Sequence, residues 1–170
     1  GSPETYTDFR QVFDRKDIDG VLIATPDHWH ALQTIRACDA GKDVYIEKPL
    51  CMTVYEGRKM IEAARRGNRI VSVGTHRRSS AMHMEMAKFV QSGGIGKVTV
   101  AQAFRLNNMF PDGIGKFADS APPADLDWDL WLGPAQYRPY HRAYVPGGWR
   151  GWSAFGTGVI GDWTCHVVDP

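Results

Sequence analysis

Three short apolar runs recur through the first half of the chain, Val21 to Ala24, Val44 to Ile46 and Ile70 to Val73, and each gives way to polar residues. Val and Ile dominate them, and β-branched side chains fit the pleated surface of a strand. Between the runs the apolar spacing becomes helical. Ala31, Ile35 and Cys38 share one face after Asp27, which is placed to cap, and Gly41 supplies the stop. Thr53 and Glu56 form a capping-box pattern ahead of Met60, Ile61 and Ala64, with Gly67 at the far end. A shorter helix precedes the first strand: Thr7 or Asp8 caps Phe9, Val12 and Phe13, and Asp17 to Gly20 turns into Val21. Strands alternating with helices predict a parallel sheet with right-handed crossovers.

Beyond the third strand the pattern changes. Met82, Met86, Phe89 and Val90 follow the spacing i, i+4, i+7, i+8, which predicts a helix whose methionine-rich stripe is core and which stops at Gly93-Gly94. Val98 to Phe104 alternates apolar and polar residues, predicting a strand with one buried face and the start of a different architecture. Residues 107 to 157 hold most of the Pro, Gly and Trp, and only Trp128 to Leu132 reads as a helix. The expectation there is a long irregular covering segment.

Charge narrows the function. Twenty Lys+Arg against nineteen Asp+Glu leave a net charge of +1, with no basic run or acidic tail, so neither nucleic acid nor a membrane surface is an expected partner. No apolar stretch approaches the length of a bilayer span. Cys38, Cys51 and Cys165 are an odd number without a CxxC spacing, so they read as small apolar fillers, and neither a disulfide framework nor a metal site is predicted.

The candidate chemistry sits at the strand ends: Thr25-Pro26-Asp27-His28 with His30, then Glu47-Lys48-Pro49, then Gly74-Thr75-His76-Arg77-Arg78. Pro49 biases Lys48 toward an extended conformation and removes a ladder donor, leaving Lys48 just past a strand end. Taken singly, each group reads as a surface or capping residue. Jointly they matter, because parallel strands bring their carboxyl ends to one edge, where open α/β sheets bind ligands. Thr25, His28, Glu47, Lys48 and His76 are therefore expected along one edge. Asp162-Trp-Thr-Cys-His166 sets an acid and an imidazole at i and i+4, on one face of a helix starting after Gly161, with Asp169 one turn beyond. Such a pair can share a proton or bind a metal; equally, an acid near a helix start is favoured by the dipole alone. Gly156-Thr-Gly158-Val-Ile-Gly161 matches the dinucleotide fingerprint by letter, but no strand-helix-strand rhythm surrounds it, so it reads as a flexible entry to that helix.

With these residues assembled, the chain resembles the glucose-fructose oxidoreductase and inositol dehydrogenase family (Gfo/Idh/MocA). The resemblance rests on Ala24-Thr25-Pro26 with His28 and His30, on Glu47-Lys48-Pro49, on Val73-Gly74-Thr75-His76-Arg77-Arg78, and on the glycine run leading to Asp162 and His166. It implies an α/β fold: the C-terminal half of a Rossmann-type parallel sheet, in a partial dinucleotide-binding domain over 1–97, followed by the start of an α+β open-sheet substrate domain over 98–170. It implies NAD or NADP as cofactor and a sugar or polyol as substrate. Lys48, Asp162 and His166 would surround the reacting hydroxyl. Thr25, Pro26, His28, His30, Glu47, Lys48, His76 and Arg77 would line the cofactor edge, with Trp149 and Arg150 near the nicotinamide. The family's opening Gly-rich turn has no counterpart before Val21, so the chain is expected to be a central segment of a longer, homo-oligomeric enzyme. A cytoplasmic location is expected, with periplasmic export left open. Trp128-Asp-Leu-Trp-Leu-Gly-Pro-Ala135 is similar to a sugar-acting branch that includes NAD-dependent glycosidases. Two alternatives therefore stand beside the oxidoreductase: a glycosidase or lyase working through transient sugar oxidation, and a non-catalytic truncated product.

Overall fold

The apolar runs form three strands, β1 (Gly20–Ile23), β2 (Asp43–Glu47) and β3 (Val71–Gly74), paired in parallel in the order β1-β2-β3. The computed structural model describes residues 2–104, 106, 108 and 110–168, so Asp169 lies outside the described residues. The chain forms two compact units, one of Gly1–Gly74 with Asp129–Gln136 and one of Thr75–Trp128 with Tyr137–Pro170.

Local chemistry explains the helices of the first unit. In α1 (Phe9–Asp14) the Asp8 carboxylate accepts from the Arg10 amide at 2.9 Å. Helix α2 (Asp27–Asp39) corrects one expectation: Pro26 is the N-cap, and Asp27 stands in the first turn, where a carboxylate complements the helix dipole without capping. Gly41, at φ 78°, makes the left-handed turn after α2 that a side chain would resist. Helix α3 (Val54–Gly67) has the full capping box, the Glu56 amide donating to Thr53 Oγ1 at 3.2 Å and the Thr53 amide to Glu56 Oε2 at 3.0 Å. Its left-handed C-cap is Asn68, one residue past Gly67. Gly67 is small for another reason, since a Cβ there would approach the Cys38 carbonyl oxygen to 2.9 Å. Thr53→Ala should lower stability by about 1 kcal/mol, read by urea unfolding, and Thr53→Ser should restore it; equal stability of all three would mean the cap carries no weight.

Phe13, Ile23, Ala31, Ala37, Cys38, Val44, Ile46, Met60 and Ala63 form the core of this unit, with Val21, Val71 and Val73 packed against it. Helices α2 and α3 pack on each other above the same face of the sheet. The opposite face carries exposed Leu22, Tyr45 and Ser72. Strand burial therefore alternates, although the sequence of β2 reads as apolar on both faces.

Two expectations fail in the second unit. Helix α4 (Ala81–Gln91) forms where its periodicity predicts, yet none of its residues is buried, and Met82 is 61% exposed and Phe89 56%. An amphipathic period suffices to form a helix, but burying the stripe takes a facing surface. Residues 98–104 form no strand, and Val100 and Phe104 are exposed. Alternation is realised as a strand only where a neighbour takes up its backbone hydrogen bonds. The irregular segment instead builds an aromatic core of its own. Trp128 stacks on Tyr144 at 5.6 Å between centroids and meets Tyr140 edge-on at 5.2 Å, while Tyr144 meets Phe155 edge-on at 5.1 Å. Helix α5 (Trp128–Leu132) starts from that tryptophan, whose Nε1 donates to the Arg138 carbonyl at 2.9 Å. Helix α6 (Gly158–Val167) opens on Gly158 at φ 69°, earlier than the expected start after Gly161, so the second half of the glycine run forms its first turn and Asp162 stands beyond that turn; no strand among the described residues leads directly into it. Among the described residues no helix is long and apolar enough to cross a membrane.

Candidate functional site

Register determines which residues share an edge. Ile23 pairs with Ile46, and Glu47 with Gly74. Thr25 and Lys48 each follow their strand's paired isoleucine by two residues, so both lie beyond the carboxyl ends of neighbouring parallel strands. The two turns are tied together by His30, which is 1% exposed: its Nδ1 lies 2.7 Å from the Pro49 carbonyl oxygen and its Nε2 2.9 Å from that of Thr25. A neutral imidazole donates to one of these oxygens, an imidazolium to both. His30 thus bridges the loop after β1 and the loop after β2.

Neighbouring groups orient the rest of the edge. Thr25 Oγ1 donates to Oε1 of buried Gln33 at 2.8 Å. The Lys48 amide donates to Glu47 Oε2 at 3.2 Å, turning that carboxylate back along the edge, and the Lys48–Pro49 peptide is cis. Gly74 leaves room for this arrangement, because a Cβ at the end of β3 would lie 3.2 Å from Tyr45 Oη and 3.4 Å from Glu47 Oε1. His28 is buried on α2, and its Nε2 donates to the Trp131 carbonyl at 3.0 Å; Trp29 Nε1 donates to the same oxygen, also at 3.0 Å. Gly133, at φ 47°, sits where any Cβ would enter the Trp29 ring, so the Trp-Leu-Gly-Pro stretch closes over α2 by backbone shape as much as by side chains. A separate cleft of about 740 Å³ between α1, α2 and residues 129–133 includes none of the strand-end candidates.

Burial pushes the thiols of Cys38 and Cys51 up, aided by the Asp39 and Asp43 carboxylates at Cys38 and by that of Glu56 at Cys51, which keeps them as protonated fillers despite the position of Cys51 beside the Glu47-Lys48-Pro49 turn. Gln33 was not singled out from the sequence, and Trp131 only as part of the Trp128 to Ala135 stretch. Gln33 stands three residues after His30, a spacing that shares a helix face, but a lone glutamine belongs to no motif.

In the second unit α6 carries Asp162, which is buried, and His166 one turn later. The His166 ring stacks on that of His76, 5.4 Å between centroids with 27° between planes, and tilts against Trp163 at 5.3 Å. His76 and Arg77 lie in the 3-10 turn His76–Ser79. Trp149 and Arg150 lie in a second 3-10 turn, Gly148–Gly151, which packs against α6; Trp149 is buried and the Arg150 guanidinium sits 4.2 Å from its ring centroid. Lys48 belongs to the first unit, and Asp162 and His166 to the second.

Residues 2–75 match the family model described as an oxidoreductase family with an NAD-binding Rossmann fold, and residues 80–170 match the C-terminal alpha/beta domain of the same family. The chain belongs to the Gfo/Idh/MocA oxidoreductase family. A levoglucosan dehydrogenase from Pseudarthrobacter phenanthrenivorans is 29% identical over 170 residues, which is 99% of this chain and 36% of that protein. The structure of a myo-inositol 2-dehydrogenase from Lactobacillus plantarum superposes with a TM-score of 0.52 at 33% identity, covering 55% of this chain and 28% of the other. A 3-ketoreductase from Actinomadura kijaniata, solved in complex with TDP-benzene and NADP, gives a TM-score of 0.51 at 26% identity, over 54% of this chain and 28% of its own. The chain spans between 30% and 36% of the length of the first curated relatives it matches. Within the family frame, the sheet of the first unit is the Rossmann part, and the expected parallel α/β class holds.

Proposed function

We propose that this chain is the part of an NAD(P)-dependent oxidoreductase, acting on a sugar or polyol hydroxyl, that carries the nicotinamide edge and the proton-transfer residues. The observation that supports it most is the shared edge of Thr25 and Lys48 beyond β1 and β2, at the end of a parallel sheet where such folds bind nucleotides. The division into a nucleotide-binding part, 1–97, and a catalytic part, 98–170, belongs to the same reading.

The residues present fit one end of a dinucleotide. Thr25, Pro26 and the Glu47-Lys48-Pro49 turn offer hydroxyl, backbone and ammonium groups on one edge, suited to the carboxamide and ribose beside a nicotinamide. The β1 to α2 turn does not suit a pyrophosphate: Pro26 has no N–H to offer, and the Asp27 carboxylate occupies the first helical turn. His76, Arg77, Trp149 and Arg150 complete the proposed cofactor set, with His28 and His30 holding the edge. NAD(P), when bound, supplies the hydride acceptor.

The chain's own groups handle the proton. Lys48 holds the reacting oxygen with its ammonium and favours the charge that builds there as the hydroxyl is deprotonated. A ring nitrogen of His166 takes that proton as general base, and the Asp162 carboxylate one turn away favours the imidazolium that results. Hydroxyl oxidation would then need no metal ligand from this set. A cytoplasmic location and a homo-oligomeric full-length product complete the reading.

The test is product analysis of the full-length gene product with NAD or NADP and a panel of sugars and polyols. Net formation of reduced nicotinamide is expected. Release of a sugar without net reduced nicotinamide would instead support the glycosidase or lyase alternative, and no turnover with any of them would leave the chain non-catalytic.

A further inference from the structure

Two of the proposed functional residues in the second unit stand face to face. The His76 and His166 rings are stacked at 5.4 Å and 27°, and Trp163, three residues before His166 on α6, borders the same ring at 5.3 Å and 57°. His166 lies in the last turn of α6, which ends at Val167. Helix ends fray, so a last-turn position fixes the orientation of the His166 ring less firmly than a mid-helix position would. Trp163 belongs to the same helix and would move with it. His76 comes from the 3-10 turn after β3, ninety residues earlier in the chain, and is tied to separate backbone.

We propose that His76 is a positioning residue for His166: its ring restricts rotation of the His166 imidazole and holds one plane, so that a ring nitrogen is presented to the substrate hydroxyl. The proposal rests on the reading of His166 as the general base. It gives His76 a role apart from any contact with a nucleotide. A base must lie within hydrogen-bond reach of its proton before its basicity matters, and small misplacements of reacting groups cost up to ~10²-fold in rate. Swinging the His166 ring about its Cβ–Cγ bond would drive an edge into the His76 face, so the stack selects against the unproductive orientations. What the stack requires of position 76 is a flat ring. It does not require an ionisable nitrogen, and this separates positioning from acid-base or cofactor chemistry by His76 itself.

The discriminating variants are His76→Ala, His76→Phe and His166→Ala, measured on the full-length gene product as kcat at saturating NAD(P), so that the cofactor contact proposed for His76 does not enter, and as KM for a sugar or polyol it oxidises. His76→Ala should lower kcat by ~10-fold or more with KM little changed. His76→Phe, which keeps a stacking ring and removes the nitrogens, should regain most of that loss. Wild-type kcat in His76→Ala, or a His76→Phe enzyme as slow as His76→Ala, would overturn the proposal while leaving the general base intact. Near-normal turnover of His166→Ala would overturn the base assignment beneath it. Long-range proton–nitrogen spectra of the histidine rings supply a readout independent of activity. His166 ring signals should move in His76→Ala and return toward their wild-type positions in His76→Phe, and unchanged signals in His76→Ala would show that the stack does not exist in solution.

Discussion

Lys48→Met should slow turnover by ~10²-fold or more, the usual range for a lost acid-base or charge-stabilising group, and His166→Ala should do the same. Methionine keeps the unbranched apolar stem of lysine and removes only the ammonium. The backbone contacts of the edge stay in place, because the Lys48 amide donates to Glu47 and the Pro49 carbonyl faces His30 Nδ1, neither through the Lys48 side chain. The two variants differ in cofactor binding. Lys48 lies on the proposed nicotinamide edge, so its loss should weaken NAD(P), whereas His166→Ala should leave cofactor affinity nearly intact. Steady-state kinetics with a parallel cofactor titration on the full-length gene product measure both quantities. Near-normal turnover in either variant removes that residue from the mechanism.

The largest expected loss of stability from a single strand-edge residue is that of His30→Ala, about 3 kcal/mol or more. Two terms combine. The carbonyl of Thr25 or Pro49 that accepts from the ring loses its partner in a place from which water is largely excluded, at ~1–3 kcal/mol for a buried group left unsatisfied. Removing most of a ring that is 1% exposed also leaves a cavity, and large-to-small changes at such sites cost about 2–5 kcal/mol. Because His30 ties the turn carrying Thr25 to the turn carrying Lys48, the loss should also loosen the site. His30→Gln, which retains one donor, should recover part of the stability. Urea unfolding reads the effect, and a loss below ~1 kcal/mol would show that the bridge between the two turns is not formed.

Much of the first unit was legible because its signals are local. Cap residues, positive-φ glycines and changes of apolar period act within a turn or two of the chain, and the capping box of Thr53 and Glu56 appears in the structure as its spacing predicts. The shared edge was legible for a different reason. Once strands are parallel, their carboxyl ends coincide whatever lies between them, so Thr25 and Lys48 could be placed together without knowing any side-chain contact. His28 and His30 show where this reasoning stops. Both were drawn to the edge by position, yet the structure turns their rings inward, one to the Trp131 carbonyl and the other to those of Thr25 and Pro49. Sequence spacing locates a side chain on a helix; it does not say which carbonyl will face the ring.

Periodicity predicted α4 and an alternating segment at 98–104, and it predicted burial for both. The helix formed because its hydrogen bonds are internal to it. Neither the burial of its stripe nor the strand followed, because these depend on surfaces and partners contributed by distant parts of a chain. The aromatic core of the second unit was invisible for the converse reason: Trp128, Tyr140, Tyr144 and Phe155 follow no period, and only the fold brings their rings within contact. The same division holds at the candidate site. The amino-acid order alone was enough for the family, the parallel sheet, the lysine past β2 and the acid–imidazole spacing of α6, since each is set by short-range pattern and chain topology. The His30 bridge, the Gln33 partner of Thr25 and the stack of His76 on His166 emerged only in three dimensions. Each joins groups whose approach depends on how whole elements dock, and docking is decided by the sum of many packed contacts that no short stretch of sequence contains.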